Sequence, residues 1–317
     1  MVESVHQVDA VVADVHGSTL AWGDHERPTL ARSGLKLVQA LPLVRTGAAD
    51  RFGVSDDELV LACASHNAEP GHVETVAAWL ERIGLTPGAL ECGPALPRMP
   101  DDLTAHLRAG RGPEAICNNC SGKHTGFLSV AMHLGHDPVG YLDPEHPVQQ
   151  LVSEAVSRVC RFDLGGQTPG RDGCGIPTWS IPLDHLAGAM ARLVRPEGLD
   201  QSWTAAAGRV AAAVPSRAWW ISGSDRHEVL VTGRATEPVL IKAGAEGVFM
   251  AALPERGLGV AVKAADGAAR AAEVAVSAVL AHLGALPEDV VAKPVHNVAG
   301  TLVGSVSPVG DGPVSVG

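Results

Sequence analysis

The sequence predicts an α+β fold, an antiparallel sheet with helices packed on it. Short β-forming runs occupy both ends of the chain and are separated by glycine, proline and charged turns. Amphipathic patterns with the helical period fill the middle third. Because no repeat or linker-like segment divides the chain, we expect one domain over residues 1–317, with the sheet formed from its N- and C-terminal thirds.

The N-terminal end reads as a hairpin followed by a helix. Residues 8–15 alternate imperfectly between apolar and polar positions, and a second short run covers residues 19–22. The turn residues between them predict a β-hairpin. Thr29 is expected to cap a helix that begins near residue 30 and continues to residue 41.

The next segment gives conflicting signals. Ser55 and Glu58 have the spacing of a capping box. The run 59–64 that follows is short and apolar, and we interpret it as a buried strand that leads Ser65 into a loop. Helical periodicity then predicts helices at 71–83, 147–159, 183–193 and 203–214. A further helix is expected to begin in the segment 117–126 and to end near residue 135.

The last third changes to short β-rich runs. Their spacing suggests an antiparallel sheet, with strands at 228–232, 239–242, 248–252 and 259–264. An alanine-rich helix is expected over 267–283. The tail from Ser307 is rich in glycine and proline, which predicts a frayed end.

Composition excludes several classes of partner. The net charge is -11, and no cluster of lysine and arginine offers the basic face that nucleic acid requires. No run reaches the ~18 apolar residues of a membrane helix. The first residues lack the pattern of a signal peptide, so we expect a cytoplasmic protein with its six cysteines reduced.

Ser33 and Lys36 form the first candidate site. Three residues apart, they would lie on one face of a helix. A serine hydroxyl becomes a nucleophile when a base takes its proton, and a neutral lysine amine is one such base. Most pairs at this spacing are solvated helix faces, so the pair indicates catalysis only together with other motifs.

Ser65 is a second candidate, whose partner must come from elsewhere in the chain. Lys242 is the best choice, because the small Ala243 and Gly244 behind it would let a ligand approach the strand edge. Lys263 is the rival, and either lysine alone would more commonly be an exposed strand end. A helical S-x-x-K, a loop serine and a Lys-x-Gly strand are together typical of serine β-lactamases and penicillin-binding enzymes.

Cysteines indicate a third site. Cys120 and Cys174 lie on two loops, and His124 is close to the first, which is a pattern typical of zinc sites. Cys117 would add a fourth ligand or a redox partner for Cys120. The alternative is a group of buried thiols that bind no metal. A redox role is disfavoured, because no thioredoxin-like βαβ pattern surrounds the pair.

Several stretches match one known family in the same order along nearly the whole chain. They are Val2-Glu3-Ser4-x-His6, Arg32-Ser33-x-x-Lys36 through Gln39-Ala40-Leu41, Cys63-Ala64-Ser65-His66, Cys117-x-Asn119-Cys120-Ser121-Gly122-Lys123-His124, Asp172-Gly173-Cys174 and Lys242-x-Gly244-Ala245. The chain thereby resembles the class 3 L-asparaginases, the thermolabile, zinc-containing type typified by the inducible rhizobial enzyme. The Cys-Ser-Gly-Lys-His and Asp-Gly-Cys elements are the specific ones.

The resemblance implies hydrolysis of L-asparagine to L-aspartate and ammonia, on a β-lactamase-like fold and in a homodimer. The two serine–lysine tandems it implies are Ser33 with Lys36 and Ser65 with Lys242. The zinc ligands it implies are Cys120, Lys123 and Cys174, with water as the fourth. The substrate-pocket residues it implies are Arg32, His124 and Asp172.

Some positions depart from the family pattern, namely Gly34, Leu35, Leu37, Val38 and Ala68. They put substrate range and rate in question more than reaction class. Which serine attacks stays open. Three other functions also stay open: a glutaminase, another serine–lysine amidase such as a β-lactamase or cell-wall peptidase, and a zinc-stabilised amide-binding protein without turnover.

Overall fold

The computed structural model describes residues 1–310 and 314–315. The chain folds as two compact units. The first unit consists of residues 1–35, 180–197 and 230–317, and the second consists of residues 36–179 and 198–229. The organisation of residues 1–317 as a single domain stays a prediction.

A six-stranded antiparallel sheet forms the first unit. Its central strands are Val8–Ala13 and Leu258–Ala264, which pair from Val8 opposite Ala264 to Ala13 opposite Gly259. The full order across the sheet is Val314–Ser315, Ser18–Trp22, Val8–Ala13, Leu258–Ala264, Val248–Leu253 and Leu240–Gly244. Both ends of the chain therefore supply the sheet, and the α+β prediction is confirmed.

Two helices cover the faces of this sheet. Helix Ala269–His282 packs on the face of Val260 and Val262, where its small side chains join an apolar core. Helix Leu183–Val194 packs on the other face at Gly259, where a Cβ would stand 2.0 Å from the carbonyl oxygen of Ala187. Glycine is required there because the helix backbone lies directly on the strand.

Smaller elements complete the first unit. Strand Pro28–Leu30 pairs with Ser180–Pro182, and strand Lys293–His296 pairs with Leu302–Val306 in an exposed hairpin. A short 3-10 helix, Glu288–Val290, precedes the hairpin. The prediction of a frayed tail from Ser307 falls partly on residues 311–313 and 316–317, outside the described residues.

The second unit is helical, as predicted for the middle third. Its helices are Lys36–Gln39, Leu41–Arg45, Ala48–Arg51, Asp56–Ala62, Pro70–Arg82, Pro100–Arg108, Ser121–Leu134, Pro147–Cys160, Gln201–Ala213 and Ala218–Ser222, with 3-10 turns at Pro87–Ala89 and Ala115–Cys117. Strands Gly170–Arg171 and Pro177–Thr178 form a small pair. The helices predicted at 71–83, 147–159 and 203–214 are confirmed to within about two residues.

Two helices at the centre of the second unit position the candidate site. Helix Ser121–Leu134 is buried from Ser121 through Ala131. It crosses helix Asp56–Ala62 so closely that a Cβ on Gly122 would lie 2.5 Å from the carbonyl oxygen of Leu61. The glycine lets the two backbones touch, and this contact brings the residues after Ala62 next to the start of the longer helix.

The predicted strand at 59–64 is wrong, because helix Asp56–Ala62 occupies the segment. Ser55 Oγ accepts from Glu58 N, and Glu58 Oε2 accepts from Ser55 N at 2.9 Å, so the capping box is formed. Acidic residues in the first turn add favourable charge at the helix N-terminus. The run is apolar all round because the helix is buried, not because it is a strand.

Two further predictions differ from the structure. The strand at 228–232 is wrong, since His227–Arg234 is helical. Five residues rich in β-branched side chains were too few to distinguish a strand from a short helix. The helix expected at 30–41 is interrupted, because Arg32–Leu35 is a 3-10 turn and an α-helix begins at Lys36. Thr29 donates its hydroxyl to Arg27 O and caps no helix.

No helix within the described part of the chain combines the length and the apolar character needed to cross a lipid bilayer.

Candidate active site

Ser65 lies in a loop that starts just after helix Asp56–Ala62. Its backbone N–H donates to Ile221 O at 2.9 Å, and the next residue, His66, donates to Asn119 O at 3.1 Å. Ala68 adopts a φ of +57°, a left-handed conformation that is uncommon for alanine. Hydrogen bonds on successive residues hold the loop and fix the position of the Ser65 hydroxyl, which is buried.

Lys36 is completely buried beside this hydroxyl. Its Nζ donates to Ser65 Oγ at 2.9 Å and to Ala64 O at 2.5 Å, and it lies 3.0 Å from Cys120 Sγ. An ammonium group has three donors, and these three atoms accept them. In its neutral form the same amine is within reach of the serine proton, which is the geometry a general base requires.

Ser33 and Lys242 lie in the first unit. The turn that carries Ser33 packs on the end of strand Leu240–Gly244, where a Cβ on Gly244 would stand 2.5 Å from Ala31 O. Lys242 lies inside that strand rather than at its end, is fully buried and donates to Ala243 O at 2.9 Å. Its rival Lys263 donates to Glu246 O at 2.7 Å. The tandems of Ser33 with Lys36 and of Ser65 with Lys242 stay predictions.

Cys120 and Cys174 share a hydrogen bond although 54 positions separate them. The thiol of Cys174 holds the pKa of Cys120 well below its usual range, against the effect of burial, and the charges of Lys36 and Lys123 lower it further. The same hydrogen bond raises the pKa of Cys174, and burial adds to the increase. The two sulfur groups therefore titrate as a coupled pair, with the lower pKa on Cys120 and the higher on Cys174.

Lys123 completes this cluster. Its Nζ lies 3.0 Å from Cys174 Sγ, and the residue is almost fully buried. Burial lowers the pKa of Lys123, but the neighbouring sulfur atoms of Cys174 and Cys120 raise it more, so the amine is protonated. The charge of Asp172 acts in the same direction.

These three side chains fit a zinc ion by donor type, because two sulfur atoms and one nitrogen meet in a buried cluster. Binding would displace the protons of Cys174 and Lys123. Among residues 1–310, no three histidine, cysteine or carboxylate side chains group in a way that could hold a metal ion. A zinc ion here would therefore need the nitrogen of Lys123 as its third protein ligand.

His124 is buried next to the cluster with one ring nitrogen unsatisfied. Its Nδ1 lies 2.7 Å from Tyr141 Oη, which itself accepts from Glu91 N. The phenol proton is free to donate to Nδ1. Burial, with the charges of Lys123 and Lys36, holds the pKa of His124 well below its usual range, so the ring is neutral. In the tautomer whose Nδ1 accepts from the phenol, the ring proton lies on Nε2, which has no partner among the described residues.

Asp172 and Arg32 are both partly exposed. Asp172 belongs to a tight turn of the second unit, in which its backbone N–H donates to Ile176 O and its Oδ1 accepts from Gly173 N at 2.7 Å. Arg32, in the first unit, has a φ of +50°, so the Ser33 turn begins with a left-handed residue. Such backbone conformations persist only where the surrounding structure enforces them.

A family model described as L-asparaginase II matches residues 1–308. The chain belongs to the L-asparaginase II family. A comparison with curated protein sequences found no match. Membership of the L-asparaginase II family supports a hydrolase that acts on amides.

Solved structures of β-lactamases are also similar to this L-asparaginase II family chain. One from Rhodobacter sphaeroides, of class C, is 17% identical over 88% of this chain and 95% of its own, with a TM-score of 0.44. A β-lactamase from Mycobacterium bovis is 18% identical over 87% and 94%, with a TM-score of 0.39. One from Burkholderia ambifaria is 14% identical over 86% and 94%, with a TM-score of 0.35. At these TM-scores the likeness supports no further conclusion.

Sequence reasoning missed three residues around the candidate site of this chain. Cys92 lies close enough for the charge of Cys120 to act on it, and burial, followed by that charge, raises its pKa to about 12. His66 Nε2 lies 3.0 Å from Ser121 Oγ. Tyr141 orients His124. Only His66 had a sequence signal, its position directly after Ser65, whereas Cys92 and Tyr141 come from distant segments.

Proposed function

We propose that the chain hydrolyses the side-chain amide of L-asparagine to L-aspartate and ammonia by serine–lysine catalysis. Membership of the L-asparaginase II family supports an amide substrate, and one contact supports the serine–lysine mechanism. Lys36 Nζ lies 2.9 Å from Ser65 Oγ in a buried setting. A base within hydrogen-bond reach of a hydroxyl is the arrangement by which enzymes activate serine.

In the first half-reaction, Ser65 Oγ attacks the amide carbon and its proton passes to the neutral amine of Lys36. A bond forms between Oγ and carbon, and the carbonyl electrons move to oxygen. The buried N–H of His124 Nε2, which has no partner among the described residues, is the proposed donor to the substrate. When the C–N bond breaks, Lys36 returns the proton to nitrogen and ammonia leaves.

In the second half-reaction, water attacks the aspartyl ester. Lys36, again neutral, takes the water proton, and the tetrahedral intermediate expels Ser65 Oγ. The serine recovers its proton from Lys36 and aspartate is released. The same amine thus acts as base and then as acid in each half-reaction, as microscopic reversibility requires.

Ser33 is the alternative nucleophile, with Ser65 passing the proton to Lys36. The resemblance to class 3 asparaginases also supports Lys242 as a second catalytic lysine, and Arg32 and Asp172 as residues that bind the charged groups of asparagine. The β-lactamase-like fold, the class 3 subtype, the homodimer and the cytoplasmic location likewise stay proposals from the sequence.

We further propose that Cys120, Lys123 and Cys174 hold a zinc ion. When bound, zinc would orient the two cysteine-bearing segments, a structural role that needs no metal-activated water because the serine supplies the nucleophile. The donor types and burial of the three side chains support this ligand set.

Ammonia release from L-asparagine and L-glutamine, together with cleavage of a chromogenic β-lactam, tests the proposal. We expect turnover of asparagine above that of glutamine and no β-lactam cleavage. Preferred turnover of glutamine or of the β-lactam would replace the substrate assignment. If a folded, zinc-loaded protein binds asparagine but releases no ammonia, the chain is an amide-binding protein rather than an enzyme.

A further inference from the structure

His66, the residue directly after Ser65, bonds to both chain neighbours of Cys120. Its backbone N–H donates to Asn119 O at 3.1 Å, and its ring Nε2 lies 3.0 Å from Ser121 Oγ. His66 and Ser121 are both almost completely buried. One residue therefore ties the Ser65 loop to the backbone on each side of Cys120.

The neighbours of the His66 ring determine its tautomer. The backbone N–H of Ala68 donates to His66 Nδ1 at 3.1 Å, so Nδ1 is an acceptor and carries no proton. The proton of the neutral ring is then on Nε2, which donates to Ser121 Oγ. Burial, followed by the effects of His72 and Lys36, holds the pKa of His66 well below its usual range and keeps the ring neutral.

A column of stacked rings holds the plane of the His66 ring. His72 stacks on His66 with the ring centroids 5.1 Å apart and 21° between the planes. Trp219 stacks on His72 in turn, at 4.0 Å and 14°, and its carbonyl oxygen accepts from His72 Nε2 at 3.1 Å. A rotation of the His66 ring would break both ring hydrogen bonds and the stack, so its orientation is fixed.

The two segments that His66 joins meet again at one amine. Lys36 Nζ donates to Ser65 Oγ at 2.9 Å and lies 3.0 Å from Cys120 Sγ. The serine comes from the loop, and the cysteine directly precedes helix Ser121–Leu134. The bonds of His66 therefore set how far apart the two groups around the amine lie. Such distances matter, because a misplacement of about 1 Å can cost roughly 10²-fold in rate.

We propose that His66 is a positioning residue for the serine–lysine reaction, whose Nε2–H bond to Ser121 holds the Ser65 loop where Lys36 contacts both Ser65 and Cys120. Both ring nitrogens are bonded to protein atoms, so His66 acts through its neighbours rather than on the substrate. This inference deepens the proposed function and rests on it for the identity of the reaction.

Two amide variants separate the two ring bonds. The amide nitrogen of glutamine reaches the place of imidazole Nε2, so His66→Gln keeps a donor for Ser121. The amide oxygen of asparagine reaches the place of Nδ1, so His66→Asn keeps only the acceptor for Ala68 N. On zinc-loaded protein, we expect His66→Asn to lower kcat for asparagine about 10- to 100-fold with KM changed less than about two-fold. His66→Gln should retain most of the wild-type kcat.

Ser121→Ala tests the same bond from its other side. It should lower kcat as His66→Asn does, and the double variant should be no slower than either single one, because both changes remove one interaction. Ser129→Ala is the control on the same helix, where the buried Ser129 hydroxyl donates to Thr125 O. It should keep the wild-type kcat. Losses that multiply in the double variant would show independent effects and overturn the inference.

Two measurements on the His66 bond need no turnover. In hydrogen exchange followed by mass spectrometry, Ser121→Ala should speed exchange in the peptide that contains residues 65–68 about ten-fold, the effect of one lost hydrogen bond, and Ser129→Ala should not. In nitrogen NMR of the imidazoles, the His66 signal, identified by its loss in His66→Gln, should be that of the Nε2–H tautomer. A proton on Nδ1 would overturn the inference.

The outcomes separate positioning from the reaction itself. If exchange in the Ser65 loop depends on Ser121 but the wild-type protein hydrolyses no amide, the His66 bond stands and the proposed function falls. If asparagine is hydrolysed and both His66→Asn and Ser121→Ala keep the wild-type kcat, the positioning role alone falls. A lower melting temperature in these variants without a lower kcat would mark the bond as only structural and would also overturn the inference.

Discussion

The amine of Lys36 lies 2.9 Å from the hydroxyl of Ser65, although the two residues are 29 positions apart in the chain. The contact depends on the close crossing of two helices that Gly122 permits, because that crossing places the Ser65 loop beside Cys120. Lys36 therefore has a serine hydroxyl on one side and the sulfur of Cys120 on another. One amine therefore contacts both the serine and the cysteine cluster.

Replacement of either member of this pair should abolish most of the activity. We expect Ser65→Ala and Lys36→Met to lower kcat for ammonia release from asparagine by at least ~10²-fold, the range of general acid–base catalysis. Ser129→Ala is a matched control, because Ser129 is also buried and its hydroxyl donates to a helix carbonyl, Thr125 O. Activity of Ser65→Ala within a few-fold of the wild type, with an unchanged melting temperature, would remove Ser65 from the mechanism.

Ser33→Ala distinguishes the two serines. If Ser65 is the nucleophile, we expect a burst of ammonia equal to one equivalent of enzyme to persist in Ser33→Ala and to vanish in Ser65→Ala, since the burst reports ester formation. Mass spectrometry of quenched samples should find the added aspartyl group on a peptide that contains Ser65. An aspartyl group on Ser33 would reverse the assignment.

Metal removal tests the zinc proposal. Because a metal that binds only the folded state stabilises it, a chelator should lower the melting temperature of the wild-type protein. Zinc should restore it, and metal analysis should find one ion per chain. Cys174→Ser should show a smaller effect of chelator, because it removes one sulfur ligand. Full activity and an unchanged melting temperature after chelation would contradict the proposal.

The sequence was sufficient for the main strands of the sheet and for most of the long helices. Strands 8–13, 248–253 and 258–264 are mostly apolar runs between clear turns, and the long helices repeat their apolar positions over several turns. The error at 59–64 has a physical cause. A fully buried helix shows no polar face, so the correct local signal, the capping box at Ser55, was outweighed by the apolar run.

The site was only partly accessible from the sequence. Motif residues such as Cys120 and Cys174 could be singled out by type and order, and the structure brings them into hydrogen-bond contact. The contact of Ser65 with Lys36 could not be predicted, because a contact between segments distant in the chain depends on how helices cross.

Glu69 should make stability sensitive to acid. Burial raises the pKa of this carboxyl, but hydrogen bonds from Ser224, Trp219 and Asn67 lower it more, so the folded pKa lies below the ordinary value. The folded state therefore prefers the carboxylate. Its contribution is complete above the unfolded pKa of roughly 4.3 and is lost as pH falls through the lower folded pKa.

The measurement is the midpoint of thermal unfolding between pH 7 and pH 3. We expect Glu69→Gln to unfold at a lower temperature than the wild type at pH 7. The loss in free energy of unfolding should be about 1–3 kcal/mol, the size of hydrogen bonds to a charged group. The difference from wild type should shrink below about pH 4. Glu81→Gln, an exposed change on the next helix, is the control. A constant difference across the range would show that the charge of Glu69 plays no part.

Gly122 offers the sharpest test of how the site is assembled. A Cβ at this position would meet the backbone of Leu61 at 2.5 Å, a contact that no side-chain rotation relieves. Gly122→Ala should therefore separate the two helices, with a cost of about 1–3 kcal/mol typical of overpacking.

Gly208→Ala is the matched change, since Gly208 is also helical and a Cβ there meets nothing within 4 Å. It should be neutral or stabilising by up to about 1 kcal/mol, because alanine favours helices. Because the helix crossing holds the Ser65 loop beside Lys36, Gly122→Ala should lower kcat even where most molecules remain folded. An active Gly122→Ala with wild-type stability would mean that the two helices do not need this close crossing to bring Lys36 and Ser65 together.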